Sequence, residues 1–273
     1  MSANPHPRDW PVQMKPASAA DRLIVALDLD DLGKAERLVE ILSRSGITHF
    51  KVGLGLFTLY GPSAVEKVHR NGGRVFLDLK FHDIPSTVSR AVQAATQLGV
   101  WMMNLHIQGG SAMMRQAIAS VKEEARHRKM PTPLLVGVTI LTSMAERELA
   151  DLGVRKTLKD QVLYLGKLAR SAGLDGIVAS AKEAQVLRWA LGKDFLIVTP
   201  GIRMGIDPFS AAALREEEPP RKADDQQRTA TPLEAIRAGA DYLVVGRPIL
   251  EHPDPVEAAR KIVRELEEIV PHG

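Results

Sequence analysis

The chain contains no cysteine. That absence excludes disulfides, thiolate nucleophiles, Cys-ligated zinc and iron–sulfur clusters. Aromatic residues make up only 4% of the sequence, too few to interleave with cations along a nucleic-acid groove. The 36 Lys and Arg are scattered among 33 Asp and Glu, for a formal charge of +3, and no basic block stands out. No nucleic-acid partner is therefore expected. No apolar run approaches the ~18 residues of a membrane span, and residues 1–20 lack the apolar core of a signal peptide. The expectation is a cytoplasmic protein with no membrane partner. What is present is 273 residues, 45% of them hydrophobic, enough to bury one large α/β core unaided.

Short apolar runs alternate with longer helical patterns. The runs are Leu23–Asp28, Ile47–Gly53, Arg74–Lys80, Val100–His106, Leu134–Ile140, Asp175–Ser180, Phe195–Thr199 and Asp241–Gly246. Near-continuous apolar runs of this length suit parallel strands covered on both faces. Between them, Ala35, Leu38, Val39 and Leu42 recur at helical spacing, as do Val88, Ala91, Val92 and Ala95, and Val162, Leu165, Ala169 and Ala172. Glycine punctuates the return to strand, as at Gly46, Gly99, Gly173 and Gly239, where a left-handed residue would end a helix. The fourth return uses Pro131 and Pro133 instead. Pro62, Pro232 and Pro255 fall where a first helical turn accepts them. Eight such units in about 250 residues is the arithmetic of a single-domain (β/α)8 TIM barrel. An open doubly wound sheet is the rival, but the turn after the first run, Asp28-Leu29-Asp30-Asp31-Leu32-Gly33, carries no dinucleotide fingerprint. Residues 1–20 are expected to form a flexible tail and 21–273 the barrel. A long charged insert at 204–231 follows the seventh run and is expected to act as a lid.

Barrel enzymes gather their reactive groups at the C-terminal ends of the strands. The strongest constellation there is Asp78-Leu79-Lys80-Phe81-His82-Asp83. Strand alternation points Asp78 and Lys80 to one side, and Asp28 and Lys51 end the first two strands beside them. Alternating charges would result, with an ammonium suited to delivering a proton. The same residues could equally form a structural ion-pair network. A second constellation is Thr199-Pro200-Gly201-Ile202-Arg203 with Val245-Gly246-Arg247-Pro248. Loops after strands seven and eight are the recurrent phosphate site of such barrels, and guanidinium forks match phosphate oxygens. Turn geometry alone could also explain the glycines. His82 and His106 belong to no compact metal-ligand set. Met102, Met103, Met113 and Met114 suit core filling, and Asn104 is expected to shape the fourth loop.

Taken in order, Val25-Ala26-Leu27-Asp28, Phe50-Lys51-Val52-Gly53, Phe76 through Pro85, Leu141-Thr142-Ser143 and the two glycine–arginine motifs resemble the orotidine 5′-phosphate decarboxylase family in its bacterial form. The likeness runs from about Leu23 to the C-terminus. The Asp-x-Lys-x-x-Asp element alone is shared with metal-dependent phosphosugar lyases. The resemblance implies decarboxylation of orotidine 5′-phosphate to UMP without a cofactor or metal, in pyrimidine biosynthesis, by a homodimer with shared active sites. It implies that Lys80 protonates C6, that Asp78 lies beside the departing carboxylate and that Lys51 completes the array. Asp28 and Lys51 would contact the ribose, and Thr142 the pyrimidine edge. Arg203, Gln226, Gly246 and Arg247 would hold the phosphate. Asp83, Ile84 and Thr87 would serve the partner's site. The chain departs from the family pattern where a longer insert separates Arg203 from Asp225-Gln226 and where Asp224 replaces a glycine. A metal-dependent phosphosugar lyase and a phosphate-ligand binding protein without turnover are the two alternatives.

Overall fold

All eight apolar runs become strands, because each is short, β-branched and apolar on both faces. A computed structural model describes residues 14–204 and 229–269. Its strands are β1 (Leu23–Ala26), β2 (His49–Gly53), β3 (Arg74–Phe81), β4 (Met102–His106), β5 (Leu134–Val138), β6 (Gly176–Val178), β7 (Leu196–Thr199) and β8 (Tyr242–Val245). They pair in parallel in chain order, and β8 pairs back onto β1 through Leu23↔Leu243 and Val25↔Val245. The sheet is therefore a closed eight-stranded barrel, and the open-sheet rival is excluded.

Closure divides each strand by the two-residue period of its side chains. Leu23, Val25 and Leu27, Phe50 and Val52, Val75 and Leu77, and Met103 and Leu105 join the core between strands and helices. Ile24, Ala26, Phe76, Met102, Val136, Val198, Tyr242 and Val244 fill the barrel itself. The interior is thus a packed plug up to its mouth. Any polar residue on the inward ladder at the C-terminal end stands on an apolar floor.

The helical stripes fall largely where the periodicity predicts. Ala35, Leu38, Val39 and Leu42 are buried on the helix Leu32–Arg44, and Val162, Leu165, Ala169 and Ala172 on Leu158–Ala172. On Pro85–Gln97 the buried set is Val88, Val92, Ala95 and Thr96, while Ala91 stays half-buried. Thr96 is tolerated inside because its hydroxyl donates to the Val92 carbonyl at 2.8 Å. Pro62, Pro232 and Pro255 open helices as expected. The helix Gly110–Arg128 ends ahead of its prolines on Lys129, which takes the left-handed conformation at φ 54°.

The expected loose tail does not extend over residues 14–20. Lys15 pairs with Asp241, the Tyr242 hydroxyl donates to the Met14 carbonyl at 3.3 Å, and Ala19 is buried. Asp241 also accepts Arg188 Nη2 at 2.6 Å and the Ile197 amide at 2.8 Å. One carboxylate thus ties this segment to two strands and a helix at the N-terminal end of the barrel. Residues 1–13 lie outside the described residues, as does most of the 204–231 insert. The two ends of that insert are held side by side, with the Arg203 amide donating to the Ala230 carbonyl at 2.9 Å.

At the floor of the barrel His49 packs edge-on to Trp101, with ring centroids 4.4 Å apart, and lies 6.4 Å from the Tyr242 ring. Burial, followed by the nearby Arg74 charge and only partly opposed by Asp21, lowers the His49 imidazole to about 4. A histidine with a depressed folded value binds its proton more tightly when unfolded. Its contribution therefore favours folding at neutral pH and is lost as pH falls from about 6.5 towards 4. Urea unfolding at pH 7 and pH 4.5 is expected to show a stability loss that shrinks by on the order of 2 kcal/mol in His49→Leu. An unchanged loss would show that His49 is not buried in its neutral form.

Candidate active site

The inward ladder turns from apolar to charged at the mouth. On β2 the inward residue after His49 is Lys51; on β3 the one after Phe76 is Asp78. Register places Gly53 beside Asp78 and Ala26 beside Lys51. Lys51 Nζ lies 2.9 Å from Asp28 Oδ1 and 3.3 Å from Asp78 Oδ2, and Lys80 Nζ lies 2.7 Å from Asp78 Oδ1. The predicted alternation of charges is therefore present as one continuous chain, Asp28–Lys51–Asp78–Lys80. Lys51 and Asp78 are 9% and 8% exposed. A Cβ added at Gly53 would stand 2.9 Å from Lys51 Nζ and 3.3 Å from Asp28 Oδ1, so glycine there leaves room for the array.

Opposing effects set the charges. Burial alone would lower the Lys51 ammonium, but Asp78 and Asp28 outweigh it and raise Lys51 above an ordinary lysine. Burial alone would raise the Asp78 carboxyl, but Lys51 and Lys80, with hydrogen bonds from Lys80 and Asn104, hold it below the usual carboxylate range. Both groups are thus kept ionised in a site where unpaired charge is costly.

Two features differ from expectation. Asn104 does not shape the fourth loop; it lies within β4, 1% exposed, with Nδ2 donating to Asp78 Oδ1 at 2.7 Å and Oδ1 accepting the Lys80 amide at 2.8 Å. Alternation with Met102 was the available signal, because both residues share the inward face. Nor do Asp78 and Lys80 meet by simple alternation. The β3–β4 register shifts between Leu77 and Phe81, and Lys80 sits at φ 51°. The strand bulges where the lysine is presented.

Across the mouth the cavity measures about 630 Å³. Asp28, Lys51, Asp78 and Lys80 line it together with Gly201, Arg203, Gly246 and Arg247, and Gly246 stands beside Asp28, since a Cβ there would lie 3.5 Å from Asp28 Oδ2. Thr142 also lines it, with apolar surface from Val138, Ile140 and Val178. Glu251, four residues past Arg247, also lines the cavity and was not anticipated. Asp83, Ile84 and Thr87 do not line this cavity. Asp83 Oδ1 accepts the Ile84 amide at 2.6 Å, and Ile84 is 64% exposed. Gln226 lies outside the described residues. His82 and His106 stack with ring centroids 5.4 Å apart. Among the described residues no group of three or more His, Asp or Glu converges as a metal site, and no helix is long and apolar enough to cross a membrane.

A (β/α)8 barrel whose charge chain, anchored on buried Lys51 and Asp78, shares one cavity with two glycine–arginine loops defines the class: a barrel suited to hold a small anionic ligand against ionised side chains. The family model for the orotidine 5′-phosphate decarboxylase / HUMPS family matches residues 21–262. A Moorella thermoacetica protein named orotidine 5′-phosphate decarboxylase is 48% identical over 253 residues, spanning 91% of this chain and 93% of its own. A Legionella pneumophila protein of the same name is 46% identical, over 90% of this chain and 99% of its own. The crystal structure of the Lactobacillus acidophilus orotidine 5′-phosphate decarboxylase superposes with a TM-score of 0.75 at 34% identity, covering 90% of this chain and 98% of that one. The chain belongs to the orotidine 5′-phosphate decarboxylase / HUMPS family.

The array itself is testable without substrate. Asp78→Asn removes the first opposing influence on the buried Lys51. NMR titration of labelled lysine side chains is then expected to show the Lys51 ammonium losing its proton at lower pH than in the wild type. Breaking a buried pair should cost about 3 kcal/mol or more in denaturant unfolding. In the wild type the Asp78 contribution is full above about pH 4 and fades as pH falls through its lowered folded value. An unmoved Lys51 titration would mean that the two charges are not coupled.

Proposed function

We propose that the chain is a cytoplasmic, homodimeric enzyme that converts orotidine 5′-phosphate to UMP and carbon dioxide, with Lys80 as the proton donor. One observation carries the assignment of roles: an ammonium paired with a buried carboxylate shares a single cavity with two arginines on the loops after β7 and β8. A cavity of about 630 Å³ lined by both sets of residues suits a nucleotide that is gripped at its phosphate and reacts at its base.

Loss of carbon dioxide breaks the bond between C6 and the carboxylate carbon and leaves an electron pair in the ring plane at C6. No π-system absorbs it. A fixed ammonium aimed at that carbon stabilises the developing charge without reorganising, then transfers its proton to C6. Asp78 keeps Lys80 in place and, beside the substrate carboxylate, disfavours the ground state. Lys51 and Asp28 meet the ribose hydroxyls, and Thr142 meets the edge of the base. Arg203, Arg247 and the Gly246 backbone hold the phosphate, together with Gln226. Binding at that remote end positions the reacting carbon. Exposed Asp83 and Ile84 and half-buried Thr87, all off their own chain's cavity, serve the site of the second subunit.

Chelator-treated protein should consume orotidine 5′-phosphate, followed as loss of the orotate absorbance. Activity that vanishes on chelation and returns with a divalent ion would instead favour the metal-dependent phosphosugar lyases of the same family. Lys80→Ala should lower turnover at least about 10³-fold while UMP still raises the melting temperature. Normal turnover by that variant would remove Lys80 from the chemistry. Mixing inactive Lys80→Ala and Asp83→Ala homodimers should restore activity through heterodimers holding one intact site. Proven subunit exchange without recovery would count against Asp83 acting across the interface.

A further inference from the structure

Two non-glycine residues occupy the left-handed region among the described residues, Lys129 and Lys80. Lys129 ends a helix, where that conformation is routine. Lys80 adopts it inside a strand. Phe76 and Leu77 stand opposite Met102 and Met103, and the next aligned pair is Phe81 and Leu105. Asp78, Leu79 and Lys80 therefore face Asn104 alone. A side chain in the left-handed region is strained, so something must hold Lys80 there.

The Asn104 side chain makes both contacts that could do so. Its Oδ1 accepts the Lys80 amide at 2.8 Å, and its Nδ2 donates to Asp78 Oδ1 at 2.7 Å. The same Asp78 oxygen accepts Lys80 Nζ at 2.7 Å. The result is a closed ring from the Lys80 backbone through the Asn104 amide and the Asp78 carboxylate to the Lys80 ammonium. Asn104 is 1% exposed, so solvent is not at hand to replace either bond. The planar amide offers one acceptor and one donor in this span. An ionised aspartate offers no donor, and leucine offers neither.

We propose that Asn104 is a positioning residue: its amide pins the bulged backbone of Lys80 and the rotation of the Asp78 carboxylate together, and so aims the Lys80 ammonium into the cavity. The catalytic consequence rests on the function proposed above, whereas the positioning itself does not.

Two variants test it. Asn104→Leu keeps the volume and removes both hydrogen bonds. It should lower kcat by on the order of 100-fold, the cost of misplacing a reacting group by about an ångström. KM should stay within about threefold, and UMP should still raise the melting temperature. A kcat unchanged by Asn104→Leu overturns the proposal. Asn104→Asp is nearly isosteric and remains informative if the leucine variant fails to fold. Its protonated form restores a donor and an acceptor; its ionised form faces Asp78 with no donor. The ratio of its kcat to that of the wild type should therefore rise as pH falls from 8 to 5. The titratable groups around it, Asp78, Lys80, Lys51, His106 and His82, are common to both proteins, so the ratio reports on position 104. A flat ratio contradicts the role. A crystal structure of Asn104→Asp at pH 8 reads the geometry irrespective of turnover. Loss of the Lys80–Asp78 contact or of the left-handed Lys80 is expected, and an unchanged Lys80 overturns the proposal. If the wild type leaves orotidine 5′-phosphate untouched while Lys80 is displaced in that crystal, the assigned function fails and the positioning role stands.

Discussion

The structure depends on the ionised pairing of Asp78 with two lysines at the top of an apolar plug. Lys51 and Lys80 approach it from either side, at 3.3 Å and 2.7 Å. Desolvation opposes the charge on both Lys51 and Asp78, and each stays ionised only because its partners outweigh that penalty. Neither a lone carboxylate nor a lone ammonium would persist there as an ion. The array is stable as a set, so its members are constrained in position as well as in charge.

The barrel supplies the conditions for that set. Closure sends every second residue inward, and the floor below the array consists of Phe76, Met102 and Tyr242 rather than water. The polar mouth then begins abruptly at Lys51, Asp78 and Asn104. At the opposite end of the barrel, Asp241 binds residues 14–22 and Arg188 to β7 and β8. Stability and chemistry thus occupy opposite ends of one fold, as is usual for this architecture. Preorganisation is the functional benefit: dipoles and charges that are already fixed need not reorganise when charge appears on a ligand.

Much of this was legible from residue order. The eight strands, the helical stripes at Ala35–Leu42 and Val162–Ala172, and the placing of Asp28, Lys51 and Asp78 at the mouth follow from period and from the rule that strand ends face the cavity, whereas Lys80 reaches Asp78 through the bulge in β3. Where expectation failed, a local exception outweighed the period. Thr96 replaced Ala91 in its stripe because a back-bond to Val92 satisfied its hydroxyl. Residues 14–20 were aperiodic and so looked loose, yet Lys15 and Met14 find partners on β8 and beside it. Asn104, expected to shape a loop, lies within β4, where its alternation with Met102 puts it on the inward face.

The sequence by itself determined the barrel, its strand boundaries to within a few residues, and the residue types available at the mouth, because hydrophobic period and strand-end chemistry are local properties. Only the tertiary structure decided that β3 bulges at Lys80, that Asn104 closes a ring with Asp78, and that Glu251 joins the cavity wall. Those outcomes depend on how two neighbouring strands fall out of register and on which side chain then fills the gap. No one-dimensional pattern encodes a mismatch between segments more than twenty residues apart.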